Sequence, residues 1–277
     1  MIDIDLKPEN IKTLIEPNNF LCNKKTYIDD FKKTNIKGDF KNYIDQSLEE
    51  ILKKDKTEII NVFSSAVSLA YYDAKRRFTG IGKVWVGDKK NIFFKNIAEM
   101  IYEIFENPEK DFNIQHNKMC EDLNNMLIDF RYADTSYGKA QKIINMTFKY
   151  LYCLNTTNIY EKEIFQKCHM PLDSFTLEWC RRYLNDKPEE LNSDTSWSGI
   201  KGGLYVSLQR EIKNLLYYPL YAEFIIWPEM KKHIAAEEFI KAFPSNEEYN
   251  KPTKTQSLNT KIEYIKSIIN IPTDITP

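Results

Sequence analysis

The sequence predicts an all-α protein. Apolar residues recur at helical spacing over most of the chain, which is typical of helices packed against a core. Evidence for β-strands is scarce, and the main candidate for a strand is Val84-Trp85-Val86. Neither an internal repeat nor a flexible linker divides the chain, so we expect one helical domain over residues 1–277, with two helical lobes.

The predicted elements follow in chain order. Residues 1–40 are rich in Asp, Asn, Lys and Pro with scattered apolar anchors, and we expect an irregular arm packed on the body. A longer, more apolar helix runs from Ile59 to about Phe78. The amphipathic helix before it is marked by Ile44, Leu48, Ile51 and Leu52. Further helices are expected near residues 91–105, 118–131, 139–154, 173–185, 200–216, 228–242 and 257–269.

Composition excludes several classes of protein. A chain of 277 residues can bury a large core, and a formal net charge of −1 excludes disorder driven by net charge. The same near-neutral balance means that any nucleic-acid-binding surface must be a local cluster of basic residues. No apolar stretch reaches the length of a membrane span, so we expect no membrane partner.

The N-terminus and the cysteines indicate a cytoplasmic protein. Residues 1–5 contain no basic segment followed by an apolar run, so no secretory signal is expected. The five cysteines are odd in number and form no CxxC pair, which fits reduced thiols in a cytoplasm. We expect a monomer.

Several familiar catalytic patterns are missing. The chain has neither a GxSxG nor a GxxxxGK[ST] motif. His116 and Cys120 share helical spacing, but a zinc site needs about four ligands and no second pair is evident. We therefore expect neither a metal nor a cofactor.

The segment 137–182 is more informative. Gly138 can end one element and permit a tight turn before a helix that carries Lys142 in its early turns. Downstream, Pro171 fixes an extended backbone, and Asp173 stands at the N-cap position of another helix. Taken singly, a lysine near a helix start is a solvated residue, and an aspartate after a proline is only a cap.

Taken together, these two residues resemble a known signature. Lys149 follows Lys142 by seven positions, and the Pro-x-Asp that ends at Asp173 follows Lys142 by 31. This spacing resembles the helix–hairpin–helix superfamily of DNA glycosylases, specifically the archaeal type of 8-oxoguanine DNA glycosylase. The resemblance implies a two-lobed helical fold with a central cleft, and it implies that Lys142 and Asp173 are catalytic.

The chain departs from that family in two places. The string Leu-Pro-Gly-x-Gly-x-Lys is missing before Lys142, which leaves only Gly138, and Met146 stands where the family can stack an aromatic side chain on the extruded base. A hairpin closer to the usual spelling occurs at 79–83, but no Asp follows Lys83 at the required distance. We interpret it as a loop whose backbone approaches phosphate, with a solvated basic turn as the alternative.

The resemblance implies two possible mechanisms. In the first, the Lys142 amine attacks the anomeric carbon of the sugar and the reaction continues through a Schiff base. In the second, water is the nucleophile near Asp173, and Lys142 is an electrostatic or phosphate-positioning group. In both, the Asp173 carboxylate stabilises positive charge on the sugar, and the base must first be flipped out of the duplex.

Further residues are predicted to contact DNA or the flipped base. Trp197 is expected to be the most exposed aromatic, because polar turn residues flank it. The turn before Lys142 and a basic run are expected to contact phosphates. The predicted substrate-binding and DNA-binding residues are Gly138, Lys139, Met146, His169, Trp197, Lys75, Arg76, Arg77 and Lys83.

The leading functional prediction is a DNA glycosylase acting on double-stranded DNA. Its substrate is a modified base, either oxidised or hypermodified, such as the glucosylated hydroxymethylcytosine of phage DNA, and abasic-site lyase activity can accompany excision. The alternative is a helical nucleic-acid-binding or interaction protein without catalysis, in which Lys142 contacts phosphate and Asp173 only caps a helix.

Overall fold

The computed structural model describes residues 5–16, 20, 27–29, 31–156 and 160–242. These residues are mostly helical and contain no β-strand, which confirms the predicted all-α class. The principal α-helices are α1 Pro8–Ile15, α2 Leu48–Leu52, α3 Lys56–Ala74, α4 Lys89–Glu106, α5 Phe112–Asp129, α6 Tyr137–Tyr152, α7 Ser174–Tyr183, α8 Gly202–Leu216 and α9 Pro219–Ala242. Short 3-10 helices span Gly38–Tyr43, Lys75–Arg77, Ile81–Lys83 and Trp197–Gly199, and a π-helical turn spans Glu161–Phe165.

The chain divides into two compact units, residues 1–226 and residues 227–277. In the second unit, helix α9 continues to Ala242, and the Lys231 ammonium lies 5.4 Å from the centre of the Trp227 ring. The predicted helix at 257–269 lies outside the described residues. Across the ranges that are described, no helix is both long enough and apolar enough to cross a bilayer.

Helix α6 is the centre of the first unit. It packs against α3, α5, α8 and the 3-10 turn Trp197–Gly199, and every residue from Gly138 to Tyr152 is buried. Helix α3 also packs extensively against α4. A helix enclosed on all sides is normally apolar throughout, so the polar residues of α6 require partners from the surrounding elements.

Short polar side chains set the beginnings of the principal helices. Asp55, Asp111 and Ser136 accept hydrogen bonds from backbone N–H groups in the first turns of α3, α5 and α6 respectively. Ser47 and Glu50 form a reciprocal capping box at α2. These contacts satisfy N–H groups that have no partner within the helix.

The described part of residues 1–40 contains more helix than expected. Residues 8–15 form α1 instead of an irregular arm, and residues 31–35 are also helical. Pro8 occupies the first helical position, where its missing N–H costs nothing, and Ile11 and Ile15 bury the apolar face. Helix α1 packs against α8, so this part of the chain belongs to the core.

The candidate strand at 84–86 does not form. A 3-10 helix over Ile81–Lys83 precedes it, and the segment forms no ladder. The Trp85 indole N–H instead donates a hydrogen bond of 2.8 Å to the Tyr71 hydroxyl, and the indole packs against Phe93. The aromatic and β-branched residues that resembled a strand therefore serve as contacts to α3 and α4.

Two helices begin earlier than the periodicity indicated. Helix α5 starts at Phe112, after the Asp111 cap, and not near residue 118. Helix α9 starts at Pro219 and continues through Pro228, the residue at which a new helix was expected. Proline is favoured in the first turn of a helix, so Pro219 and Pro228 were both possible starts of α9. The helix begins at Pro219.

Gly138 is the second residue of α6. The prediction that it forms a tight turn before the helix is therefore wrong. A Cβ built on it would lie 2.0 Å from the Trp197 carbonyl oxygen and 3.0 Å from the Ile200 Cγ2. Its N–H donates a hydrogen bond of 3.1 Å to the Ile200 carbonyl. Glycine is therefore required here because another segment of backbone approaches the helix closely.

The contrast between two glycines at the same helical position makes this testable. We expect Gly138→Ala to lower the free energy of unfolding by at least about 1–3 kcal/mol, because the added methyl group overlaps a backbone oxygen. Gly203 is also the second residue of its helix, α8, but a Cβ there meets nothing within 4 Å. Gly203→Ala should therefore be neutral or stabilise by up to about 1 kcal/mol. Urea unfolding of both variants measures the difference, and equal effects would contradict the packing explanation.

Candidate active site

Lys142 and Asp173 meet in the folded chain. The Lys142 Nζ donates a hydrogen bond of 3.0 Å to Asp173 Oδ2, although the two residues are 31 positions apart. The lysine side chain is 7% exposed and the aspartate side chain 13% exposed. An ion pair so poorly accessible to water interacts more strongly than one on the surface, and each charge depends on the other.

Asp173 is both a helix cap and the partner of this lysine. Its Oδ1 accepts hydrogen bonds from the backbone N–H groups of Phe175 (2.9 Å) and Thr176 (3.1 Å), as the sequence predicted for an N-cap. The Thr176 hydroxyl accepts from the Asp173 N–H (2.8 Å) and donates to the Pro171 carbonyl (2.9 Å). One oxygen is thus fixed by the cap while the other faces Lys142.

Two glutamines that the sequence analysis missed hold the segment before Asp173. Gln141 accepts from the Leu172 N–H (3.2 Å) and donates to the Leu172 carbonyl (2.9 Å). Gln209, on α8, does the same for Met170, at 3.1 and 2.7 Å. These pairs replace the bonds that a strand partner would provide, so the extended segment enters α7 in a fixed position. No local pattern marks a glutamine for such a role.

A second buried ion pair lies on α6. Lys149 pairs with Glu223 of α9, and their side chains are 2% and 1% exposed. The Lys149 ammonium also lies 4.0 Å from the centre of the Phe31 ring and 4.5 Å from that of Phe224. Burial raises the pKa of the Glu223 carboxyl, and the positive charges of Lys149 and Lys142 oppose that rise.

A third carboxylate belongs to the same region. The Tyr150 hydroxyl of α6 donates a hydrogen bond to Asp73, which lies near the end of α3. Loss of hydration raises the pKa of the Asp73 carboxyl, while the Tyr150 hydrogen bond and the charges of Lys142 and Lys149 act against it. The ammonium groups of Lys142 and Lys149 therefore interact with three carboxylates, and the charge of Lys37 also acts on Asp73.

His169 lies in a neutral buried network, separate from the ion pair. Its Nδ1 is 2.9 Å from the Tyr205 hydroxyl and its Nε2 is 2.8 Å from Asn113 Oδ1. His116 bonds Asn145 at 2.8 Å, and burial lowers the pKa of His116 to about 4. Burial also lowers the pKa of His169, so both rings are neutral near pH 7. The predicted DNA contact His169 thus has both ring nitrogens engaged within the protein.

Two other predicted contacts to the base are buried. Trp197 is 8% exposed, so the expectation of an exposed aromatic is wrong. Its flanking Ser196 caps the 3-10 turn, and Ser198 receives a hydrogen bond from Ser136 through its carbonyl, so the polar neighbours bind the protein. Met146 is 5% exposed within α6. Local polarity did not reveal that this turn packs against α6.

Part of the predicted basic surface does assemble. Arg76, Arg77 and Lys139 line a cavity of about 370 Å³ together with Ser136 and Ser198. The Lys139 ammonium bonds the Asp134 carboxylate (2.8 Å) and carbonyl (2.7 Å). The arginines are exposed, as phosphate-binding residues must be.

Two predicted basic residues do not line this cavity. The Lys75 ammonium lies 5.3 Å from the centre of the Tyr72 ring, and Lys83 is exposed at the end of its 3-10 helix. Among the described residues, no three His, Cys, Asp or Glu side chains lie together as metal ligands.

Comparisons with known proteins do not identify a family for this chain. The chain matches no family model, no curated protein and no solved structure.

The interdependence of Lys142 and Asp173 can be measured with a double-mutant cycle. Lys142→Gln and Asp173→Asn should each lower the free energy of unfolding by about 1–3 kcal/mol, because each leaves a poorly hydrated charge without its partner. The double variant should lose less than the sum, with a coupling energy of about 0.5–3 kcal/mol. Asn retains the oxygen that caps α7, so a lost cap does not account for the effect.

The exposed pair Lys7–Asp5, with side chains 59% and 51% exposed, is the matched control. Its coupling energy should be below about 1 kcal/mol and should vanish at high salt. Urea unfolding of both cycles gives the two values. Strict additivity of Lys142→Gln and Asp173→Asn would show that the buried pair contributes no interaction energy.

Proposed function

We propose that this chain is a DNA glycosylase that flips a modified base out of double-stranded DNA and cleaves its N-glycosidic bond. The observation that carries the proposal is the hydrogen-bonded pair of Lys142 and Asp173, whose carboxylate is oriented by the cap of α7. This is the pair implied by the resemblance to the archaeal type of 8-oxoguanine DNA glycosylase. An adjacent base that can accept the proton of the nucleophile is one way in which such a group is activated.

The proposed reaction begins with a proton transfer. Asp173 accepts a proton from the Lys142 ammonium, whose Nζ is 3.0 Å from its oxygen, and leaves a neutral amine. The nitrogen lone pair then forms a bond to the anomeric carbon, while the N-glycosidic bond breaks and its electron pair leaves with the base. The departing base takes that proton from Asp173, which restores the carboxylate. The ring oxygen then takes a proton from the attached nitrogen as its bond to the anomeric carbon breaks, which gives a protonated Schiff base and allows subsequent strand cleavage at the abasic site.

The position of Asp173 supports this sequence of steps. Bond breaking puts positive charge on the sugar, and a carboxylate fixed in advance stabilises that charge without reorganising. The N–H groups of Phe175 and Thr176 hold one oxygen, so the carboxylate cannot rotate away when Lys142 moves toward the substrate. Asp173 acts first as proton acceptor. Once its proton has passed to the departing base, its carboxylate is the ionic partner of the positive charge on the sugar adduct.

Binding of DNA is assigned to the cavity lined by Arg76 and Arg77. Guanidinium groups bind phosphate oxygens in a bidentate manner, which fixes the register of a duplex without reading its sequence. Lys139 and Ser136 of the same cavity stand at the start of α6, the helix that carries Lys142. A phosphate bound there lies near the helix that carries the proposed nucleophile.

The amine mechanism predicts a covalent intermediate. Sodium borohydride should trap an adduct between the protein and DNA that contains either an abasic site or a modified base that the protein excises. Lys142→Gln should abolish both trapping and excision. Denaturing gels and peptide mapping of the adduct identify the lysine. Lys149→Gln is the matched control, because Lys149 is another buried lysine of α6 but is enclosed by Glu223 and two aromatic rings. Its folded fraction should still be trapped.

Other outcomes of this experiment decide between mechanisms. If water is the nucleophile, intact substrate gives no adduct, the product stays an uncleaved abasic site, and Lys142→Gln retains a reduced rate. Undiminished excision by Lys142→Gln would refute both mechanisms and the assignment of α6 to the active site.

Binding to phosphate predicts a specific salt dependence. Replacing both Arg76 and Arg77 with Ala should weaken binding about equally for every DNA sequence and reduce the slope of log affinity against log salt by about 2. The control removes two charges at exposed positions outside this cavity, Lys110→Ala with Lys118→Ala. Fluorescence anisotropy at several salt concentrations measures both. An unchanged slope in the arginine variant would remove this cavity from the DNA footprint.

A further inference from the structure

Residues of α5, of α8 and of the segment before α7 form a cavity of about 250 Å³, which we call the α5–α8 cavity. It shares no lining residue with the cavity lined by Arg76 and Arg77. Its volume is below the range of about 300–1,000 Å³ that is typical of sites for drug-sized ligands, so it suits a smaller ligand. Among the described residues that line it, none is Asp or Glu.

Two asparagines of α5 line this cavity, and their hydrogen bonds to the protein decide what they offer to a ligand. Asn113 Oδ1 lies 2.8 Å from His169 Nε2, and the Tyr137 hydroxyl donates a hydrogen bond of 2.6 Å to Asn117 Oδ1. An amide oxygen can only accept, so the His169 Nε2 carries a proton and donates it to Asn113. Both amide oxygens are thus engaged, and each amide retains an NH₂ group that can only donate. The two residues are four positions apart, so both donors lie on one face of α5.

The other uncharged polar side chains of the lining add few acceptors. Gln209 uses both the oxygen and the nitrogen of its amide to bond the backbone of Met170, at 3.1 and 2.7 Å. His169 has both ring nitrogens engaged, by Asn113 and by Tyr205. Of the described side chains that line the cavity, Asn214 is therefore the only one that retains an unused acceptor.

Two cationic side chains complete the lining on the α8 side. Arg210 and Lys213 are three positions apart and exposed, so they project from one face of α8. The Arg210 Nε donates a hydrogen bond of 3.3 Å to Glu211, and no other described group bonds this guanidinium. In the described part of the chain, no carboxylate lies within ion-pair distance of the Lys213 ammonium. The α5–α8 cavity therefore combines positive charge with an excess of hydrogen-bond donors.

We propose that the α5–α8 cavity binds a phosphate group through the amide nitrogens of Asn113 and Asn117, the Lys213 ammonium and the Arg210 guanidinium. A phosphate monoester carries a charge of about −1.5 to −2 at pH 7 and three strong acceptor oxygens, which complement these donors. A carboxylate has a single charge and two oxygens, so it binds more weakly. The phosphate belongs either to a free phosphate compound or to the backbone of DNA. This site is additional to the proposed glycosylase chemistry and does not depend on it.

The experiment titrates the full chain with inorganic phosphate by isothermal titration calorimetry at constant ionic strength. Asn113→Asp keeps an oxygen for His169 but replaces the donor with a second carboxylate oxygen, so it should weaken phosphate binding at least about tenfold. Residue 113 is the second residue of α5, where a negative charge favours the helix, so this variant should fold. Asn125→Asp adds the same charge at an exposed position of α5 outside the cavity and should change the affinity less than about twofold. Acetate should bind the wild type at least about tenfold more weakly than phosphate.

A second variant covers the case in which Asn113→Asp does not fold. Lys213→Gln removes one positive charge from an exposed side chain and should also weaken phosphate binding about tenfold. Lys118→Gln is its control, because Lys118 is exposed on α5 but lies outside the cavity. Equal phosphate affinity in Lys213→Gln and Lys118→Gln would overturn the inference, as would acetate binding as tight as that of phosphate.

Fluorescence anisotropy with duplex DNA distinguishes the two sources of the phosphate. If a backbone phosphate occupies the cavity, Asn113→Asp should bind DNA at least about threefold more weakly than Asn125→Asp, and inorganic phosphate should compete with DNA. If the ligand is a free phosphate compound, both Asp variants should bind DNA equally while only Asn113→Asp loses phosphate. Equal DNA affinity of the two variants together with no phosphate binding by the wild type would overturn the inference. None of these measurements requires base excision, so they leave the proposed function to its own test.

Discussion

The burial of α6 is the constraint on which the rest of the first unit depends. Every residue from Gly138 to Tyr152 is removed from solvent, yet the helix carries Lys142 and Lys149 in its interior-facing positions. Removing an ammonium group from water costs several kcal/mol, so each lysine requires a carboxylate from another element. Asp173 at the start of α7 and Glu223 in α9 provide these carboxylates. The two ion pairs therefore fix the positions of α7 and of this part of α9 against α6.

Stability alone does not account for these pairs. A buried ion pair stabilises a fold little, and apolar residues of similar size can replace one without loss. An enclosed helix of this length has every structural reason to be apolar, whereas this one keeps two lysines seven residues apart. Burial raises the pKa values of the Glu223 and Asp73 carboxyls beside them, and carboxyls with perturbed pKa values concentrate at functional sites. Lys142 differs from Lys149 in its partner, because only the carboxylate that pairs with Lys142 also caps a helix.

Sequence patterns were sufficient where the deciding interactions are local. Helices α3 to α8 follow from apolar periodicity, and the cap at Asp173 follows from its position after Pro171. The meeting of Lys142 with Asp173 was anticipated from a family resemblance and not from physics. Failures occurred where distant segments decide the structure. The backbones of Trp197 and Gly138 pack against each other, and the residues adjacent to either one in the sequence give no sign of that contact.

Helix α6 also separates two kinds of polar environment. Gln141 and Asn145, four residues apart, face a network of neutral amides, histidines and Tyr205, in which burial lowers the pKa values of His116 and His169. Lys142 and Lys149 belong to the charged region, where the carboxylates of Asp73, Asp173 and Glu223 interact with these two ammonium groups and with that of Lys37. Neutral histidines contribute no positive charge, so the other side of the helix does not change this balance. In the proposed mechanism, the positive charge that develops on the sugar beside Lys142 is stabilised by the Asp173 carboxylate, whose other oxygen is already fixed by the cap of α7.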